Sequence, residues 1–536
     1  MRPNHGDGFC PWSSRVAIAR DLLVICTVSI AYEWLFLRKG INLVDEGWPL
    51  YAAMQLDSGG TLYSDVFFVF PPGHALCAWL AYALDPPGVL LSRVFYSAFV
   101  VALCAVTYLL GRRLMPGGFA LLACLMLAVC SPTSHFQHSL FGYRYLMWSV
   151  LALLCFAHRF RHGDARWMGA AGIFAGLQLA FRQDPAFAVV CGIAVGVLTA
   201  HRNWRRWLGD GLWFGAGALA VLGPVLGWLL LGAGPEALWQ EVVVRPIAMT
   251  VLQKMPVPPL FLPLQWNREL IAHAFTSLLF RLVPLVYLVY AVALFAQWVK
   301  SLRTGNRFDG ALLLSVVVWG AVYFTRAFGR SDEPHLASAL PPFFPVVAHL
   351  LSLGFRQERG QRWGGERRRV VAAFSAGALL LAAWSFLGDS DRVLRPPYIP
   401  TRPLIALAGE VMIYPFDRLD LLVRGITDLS SPDDRVLILG PHSLLNVMSG
   451  RLGPGRADVI MPGTFLDDSE EQRFMQHLEA DPPALVVRPM GQFDFMEERS
   501  VERTAPRVVA WVEANYELSR KQAGTHFLVP RGGAGQ

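Results

Sequence analysis

The chain has 536 residues, of which 54% are hydrophobic and only 16% charged, with a mean hydropathy of +0.40. A soluble protein of this size carries roughly 25% charged residues, so a wholly soluble fold is excluded. The formal charge of +7 does not point to nucleic acid. The arginines stand in short clusters between apolar runs, which is the positive-inside pattern of a polytopic membrane protein. The eight cysteines (Cys10, Cys26, Cys77, Cys104, Cys124, Cys130, Cys155 and Cys191) lie mostly within apolar runs and never in CxxC spacing. That argues for core packing over a disulfide framework or a cysteine-ligated zinc.

In chain order, the first apolar run spans about 16–37 and follows Arg2, Arg15 and Arg20. It ends in Arg38-Lys39 without a small-residue cleavage site, so it reads as a retained first helix and not as a signal peptide. Arginine-rich turns follow at Arg112-Arg113, His158 to Arg166, His201 to Arg206, Lys300 to Arg307 and Arg356 to Arg369. Placing these turns and residues 1–15 in the cytoplasm gives a consistent path. Crossings then fall near 16–37, 89–110, 118–134, 144–158, 167–182, 185–200, 211–232, 271–298, 309–328, 335–354 and 370–387, about eleven helices. The apolar stretch 72–84 is too short to cross and is expected as a helix at the outer interface, entered through Pro71-Pro72. The chain from 391 to 536 turns polar, with strand-like runs at 435–440, 484–489 and 525–530. Between them, 469–480 opens with Ser469 and Gln472 in a capping-box arrangement. This predicts a C-terminal soluble α/β domain on the outer side, after a transmembrane domain over 16–390. The run at 435–450 reads as a strand leading into a helix without the GxGxxG fingerprint, so it gives little support to a nucleotide site.

This topology gathers unusual polar groups on the outer face. The first outer loop, 38–72, carries the adjacent acids Asp45-Glu46, then Asp57, Tyr63 and Asp65, and its end "FVFPPGH" reaches His74. "FRQDP" places Arg182 and Asp184 at an outer helix junction, and "FGRSDEPH" places Arg330, Asp332 and His335 at another. The long outer loop 233–270 adds Glu241, Arg245, Lys254 and Arg268. His135, His138 and Arg144 also face outward, with no spacing that favours a function. Each group has a plain structural reading. An acid pair in a loop is usually solvated, "RQD" can be a local ion pair before a helix, and Ser331 or Asp332 can cap the next helix. The histidines can be satisfied by backbone groups. The coincidence is what favours function. Outer arginines run against the positive-inside trend, and they occur in the same turns as carboxylates. Guanidinium forks suit phosphate oxygens, and carboxylates suit proton abstraction from a hydroxyl.

On the first-loop stretch "DEGWPLYAAMQLDSGGTLYSDVFFVFPPGH" and the turns "FRQDP" and "GRSDEPH", the chain resembles the GT-C superfamily of membrane glycosyltransferases. Within it, the similarity is to bacterial members akin to protein O-mannosyltransferases and aminoarabinose transferases (glycosyltransferase family 39-like), over roughly residues 15–390. The resemblance implies a sugar transfer from a polyprenyl-phosphate donor to a hydroxyl acceptor (glycan, lipid or protein) at the outer face of the bacterial cytoplasmic membrane. It implies Asp45 as the catalytic base and Glu46 as the second acid. Arg182 and Arg330 become the ligands of the donor phosphate, with His335 and Lys254 behind them. Asp184, Asp332, Tyr63, Asp65 and His74 are supporting candidates, and Phe70 to Gly73 shapes the cavity. Asp45-Glu46 continues into Gly-Trp-Pro, not the His-containing continuation of eukaryotic protein mannosyltransferases, which argues against a protein Ser/Thr acceptor. No cofactor is expected, and the carboxylates leave room for a divalent metal without requiring one. The competing reading is a transporter or flippase for a lipid-linked or anionic substrate. It predicts polar residues at mid-helix in both halves of the membrane, or an inverted repeat. A third reading makes the C-terminal domain a binding module on a membrane anchor.

Overall fold

The computed structural model describes residues 11–129, 143–259, 268–355, 373, 376–377, 401–414, 418–490 and 496–532. The protein is a multi-pass helical membrane protein with a C-terminal α/β domain. Among the described residues, five helices are long and apolar enough to cross a bilayer: Val89–Leu114, Gln183–Ala200, Trp204–Gly232, Thr276–Thr304 and Ala311–Phe328. Helices Pro11–Phe36, Gly117–Val129, Met147–His162, Arg166–Phe181 and Phe343–Phe355 complete the bundle among the described residues. The expected crossing at 370–387 and the end of that at 118–134 fall outside the described residues, so the bundle does not by itself establish eleven crossings.

Pro11–Phe36 carries charge within its length and hides it against Val89–Leu114. Asp21 accepts from the Tyr108 hydroxyl at 2.6 Å, and Glu33 accepts from Ser97 at 2.8 Å. Arg166–Phe181 and Trp204–Gly232 approach closely because glycines face each other. A Cβ on Gly172 would overlap the Phe214 carbonyl, and one on Gly217 would overlap that of Gly169. Such small-residue contacts replace the hydrophobic driving force that lipid does not supply. The outer side of Trp204–Gly232 leaves Leu212, Trp213, Leu219 and Trp228 exposed, as a lipid-facing helix does.

Two departures from the expected elements have clear causes. The crossing expected at 335–354 is broken into Glu333–Ala339 and Phe343–Phe355, because Pro341 and Pro342 remove two amide donors at the joint. The segment expected as a loop from 233 is helical through Gly234–Trp239, Gln240–Val244 and Arg245–Leu252. Its i,i+4 pair Glu241–Arg245 and its contacts with the C-terminal domain hold it in that state. The stretch after Pro72 forms helix Gly73–Leu84, whose 12 residues reach only about 18 Å, against about 30 Å of hydrocarbon.

The arginine-rich turns meet at one end of the bundle. Arg113 contacts His158 at 3.3 Å, Arg159 and His201 both bind Asp210, and Arg202 donates to the Ser301 and Asn306 carbonyls. The opposite end carries the first loop, the 234–252 helices and the C-terminal domain.

That domain holds a four-stranded sheet. Val436–Ile438 and Leu485–Pro489 are parallel, Thr525–Pro530 runs antiparallel to the latter, and Tyr516–Gln522 closes the edge as a hairpin with Thr525–Pro530. Three of these strands follow the apolar runs. Tyr516–Gln522 is polar on its face and is made a strand by its partner. Helix Asp468–Ala480 is capped by Asp467, which accepts from the amides of Ser469 and Glu470. The cap thus lies two residues before the expected Ser469, whose Oγ instead donates to the Asp467 carboxylate at 2.6 Å. The sheet's period of two sorts its residues. Val436, Ile438, Leu485 and Val487 pack into one core with Trp48, Leu50 and Tyr51 of the first loop, while Leu437, Leu439 and Val486 face helices Asp468–Ala480 and Pro506–Asn515. The loop and the domain therefore share a core.

Candidate active site

The first loop is turned by Asn42, whose Oδ1 accepts from the amides of Val44 at 3.1 Å and Asp45 at 2.9 Å, directing the chain into helix Gly47–Asp57. The two adjacent acids then part company. Glu46 is fully buried and takes both arms of Arg93, at 2.6 Å from Nε and 2.9 Å from Nη2. The same guanidinium donates to the carbonyls of Leu37 at 3.0 Å and Gly40 at 2.9 Å, so one arginine from Val89–Leu114 ties down both ends of the turn. Glu46, expected as a second acid of the site, is thus committed to an ion pair away from solvent. The Asp45 carboxylate is half-buried and makes no hydrogen bond or ion pair among the described residues.

The loop returns through Phe67 to Phe70. Trp48 Nε1 donates to the Phe67 carbonyl at 2.9 Å and stacks on the Phe67 ring. Tyr63 adopts a left-handed φ of 71°, rare for an aromatic residue, and its buried hydroxyl donates to the Phe70 carbonyl at 2.6 Å. Asp65 is exposed and accepts from the Thr61 amide at 2.9 Å. His74 is buried among Tyr96, Tyr145 and Phe181, with Nδ1 2.6 Å from the Tyr96 hydroxyl. Tyr63, Asp65 and His74 therefore shape the loop.

Phe70 leads to the arginines. The Arg182 guanidinium lies 4.9 Å from the centre of its ring. Arg182 Nε donates to Asp184 Oδ1 at 2.7 Å, and Arg326 Nε faces Asp184 Oδ2 at 3.7 Å. Arg326 also donates to the hydroxyls of Tyr323 at 2.6 Å and Tyr145 at 3.3 Å. Two guanidiniums thus share one carboxylate at the helix ends, beside an aromatic wall. The turn is fixed to the 234–252 helices by Gln183, which donates to the Val242 carbonyl at 2.8 Å.

The second expected turn closes on itself. Arg330 donates to Asp332 Oδ2 at 2.7 Å, while Asp332 Oδ1 caps Glu333–Ala339 and lies 2.6 Å from His335 Nδ1. Burial alone would raise the Asp332 carboxyl, but the His335 hydrogen bond and the Arg330 charge outweigh it and hold it at about 2. Asp332 is the helix cap that the sequence offered as its plain reading. Lys254 is exposed, and its carbonyl accepts from Arg499 at 2.9 Å. Among the described residues no hydrogen bond or ion pair joins Asp45 to Arg182, Arg326 or Arg330, and no group of three or more His, Cys, Asp or Glu side chains could hold a metal.

Two residues escaped the sequence reading. Arg326 lies four residues before Arg330, at the end of an apolar helix, and only the fold turns it toward Asp184. Arg93 is a lone arginine inside an apolar run. That is itself a signal, since an ionisable residue at membrane depth needs a partner, and a buried acid is the natural one.

No protein-family model and no curated protein matches the sequence. Solved structures do. ArnT from Cupriavidus metallidurans, in the apo state, superposes over 97% of this chain and 98% of its own at a TM-score of 0.52 and 15% identity. The oligosaccharyltransferase AglB from Archaeoglobus fulgidus, in complex with an inhibitory peptide and a dolichol-phosphate, superposes over 98% of this chain and 75% of its own at 0.52 and 12% identity. The chain has the GT-C fold. The resemblance read from the first loop and the arginine-bearing turns holds at that level.

Proposed function

We propose that the protein is a glycosyltransferase that moves a sugar from a polyprenyl-phosphate donor to a hydroxyl acceptor at the outer face of the bacterial cytoplasmic membrane. The observation that carries this reading is the pairing of Arg182 and Arg326 on the single carboxylate Asp184, against the Phe70 end of the first loop. Guanidinium groups gathered at these helix ends, partly withdrawn from water beside an aromatic wall, match phosphate oxygens in charge and in fork geometry. The shared fold with a structure containing a dolichol-phosphate supports a lipid-phosphate donor.

In this mechanism the donor enters from the outer leaflet and Arg182 and Arg326 hold its phosphate. The acceptor oxygen forms a bond to the anomeric carbon as the bond from that carbon to the phosphate oxygen breaks. The hydroxyl proton passes to the Asp45 carboxylate, and the lipid phosphate leaves with the electron pair, its charge balanced by the arginines. The anomeric centre inverts. Asp45 suits the role because its carboxylate is uncommitted while its neighbour Glu46 anchors the turn.

The test is transfer from a polyprenyl-phosphate sugar by purified Asp45→Asn. A base of this kind contributes about 10²–10⁴-fold, and a loss in that range is expected with donor binding retained. Near-normal turnover rejects Asp45 as the base.

A further inference from the structure

A second site lies where the first loop, the Arg245–Leu252 helix and the C-terminal domain meet. We propose that the cavity bounded there by Phe67, Arg245, Arg456, Glu470, Arg473 and Phe474 binds an anionic monosaccharide unit of the acceptor. The inference rests on the glycosyltransferase reading for the word acceptor, and on the cavity alone for its ligand.

The cavity holds about 210 Å³, below the usual range for drug-sized ligands and suited to one sugar ring. Its floor is rigid. Arg245 is buried, with Nε and Nη2 bound to Glu241 at 2.8 and 2.9 Å and Nη1 and Nη2 bound to Glu470 at 3.1 and 2.9 Å. It also donates to the carbonyls of Gly463 at 3.2 Å and Thr464 at 2.6 Å, and lies 5.4 Å from the Phe67 ring centre. Arg245 and both glutamates are therefore satisfied by one another. The remaining cations differ. Arg456 pairs with Glu241 but keeps a buried Nε with no hydrogen-bond acceptor among the described residues. A buried guanidinium N–H without an acceptor is costly and is the signature of an absent one. Arg473 stands at the mouth, donating to Ser469 Oγ at 3.2 Å, with the exposed cap carboxylate of Asp467 nearby. Phe67, Phe465 and Phe474 line the cavity with apolar carbon against which the C–H groups of a pyranose can pack, while Arg456 and Arg473 offer forks to a carboxylate or phosphate on it.

Packed rings lie between the cavity and the arginine pair, with Phe67 stacked on Trp48 and Trp48 edge-on to Phe70. Phe67 lies 5.5 Å from Trp48, Trp48 lies 5.7 Å from Phe70, and Arg182 sits over Phe70. A ligand seated against Phe67 is thus one aromatic ladder away from the proposed donor phosphate.

The experiment is calorimetric titration of the full chain in detergent with glucuronate, glucose 6-phosphate, inorganic phosphate and glucose. Saturable binding of glucuronate or glucose 6-phosphate is expected, about tenfold or more tighter than glucose, with a similar loss in Arg473→Gln and in Arg456→Gln. The arm that binds names carboxylate or phosphate as the anion. Equal binding of glucose, no saturable binding of either charged sugar, or unchanged binding in both variants overturns the proposal. Inorganic phosphate binding as tightly as glucose 6-phosphate overturns its sugar component. Sugar binding without any turnover of a polyprenyl-phosphate donor rejects the transferase reading and keeps the cavity. Turnover without sugar binding rejects the cavity alone.

Discussion

Replacing Arg93 is the sharpest perturbation of the first loop. Both members of the Arg93–Glu46 pair are fully buried, and the arginine makes four bonds: two to the carboxylate and one each to the carbonyls of Leu37 and Gly40. Arg93→Ala strands a carboxylate away from water, which costs about 3–5 kcal/mol. The orphaned carbonyls add about 1–3 kcal/mol each unless water reaches them. Glu46→Gln keeps the shape and the acceptor oxygen and costs less. In an Arg93→Gln background, adding Glu46→Gln removes the stranded charge and recovers stability, although each change alone destabilises. Denaturant unfolding of the four proteins in detergent gives the coupling energy. A coupling near zero, or an Arg93→Ala protein as stable as the parent, refutes the claim that this pair holds the turn presenting Asp45.

The other predictions concern the bundle, the domain contact and the arginine site. Gly217→Ala forces a methyl into the Gly169 carbonyl and is expected to destabilise by more than about 1 kcal/mol, while Gly215→Ala on the same helix meets open space and is neutral or stabilising; equal effects in thermal unfolding reject the close helix contact. Asp458 is buried and accepts from the Tyr51 hydroxyl across the contact between the first loop and the domain. Burial pushes it up to about 7, although the Tyr51 hydrogen bond and the Arg435 charge pull the other way. Because its folded value lies above the unfolded 3.8, its contribution is fully present below that pH and is lost as pH rises to about 7, by about 4 kcal/mol at most. The protection factors of the Gly47–Asp57 amides, exchange normalised to the intrinsic rate at each pH, are therefore expected to fall over that window, and Asp458→Asn abolishes the fall; pH-independent protection factors in the parent contradict it. Arg326→Lys keeps the charge but loses the fork, and is expected to weaken donor affinity by about tenfold or more with a smaller effect on turnover of bound donor. An unchanged KM for the donor removes Arg326 from the phosphate site.

Much of this was legible along the chain. Charge alternation located the helices from Val89 to Phe328, and the arginine-rich turns do meet at one end of the bundle. Three of the four strands of this sheet followed their apolar runs, most plainly Val436–Ile438, which is buried on both faces and so is written in valine, leucine and isoleucine. Arg182 and Asp184 were readable as a pair because two residues separate cause and effect. Arg326 was not, because its partner lies 142 residues earlier in the chain. Glu46 and Lys254 show the converse. They carry suitable chemistry at suitable positions, but one is consumed by Arg93 and the other points to solvent.

The sequence by itself determined that this chain is a multi-pass helical membrane protein with a C-terminal α/β domain, and which turns hold carboxylates beside arginines. Those properties follow from local hydrophobicity and charge, which the solvent reads residue by residue. Only the tertiary structure decided which of two adjacent acids is sealed and which is left open. A buried carboxylate needs a cation within about 3 Å, and folding alone brought Arg93 from 47 residues away to Glu46 and not to Asp45.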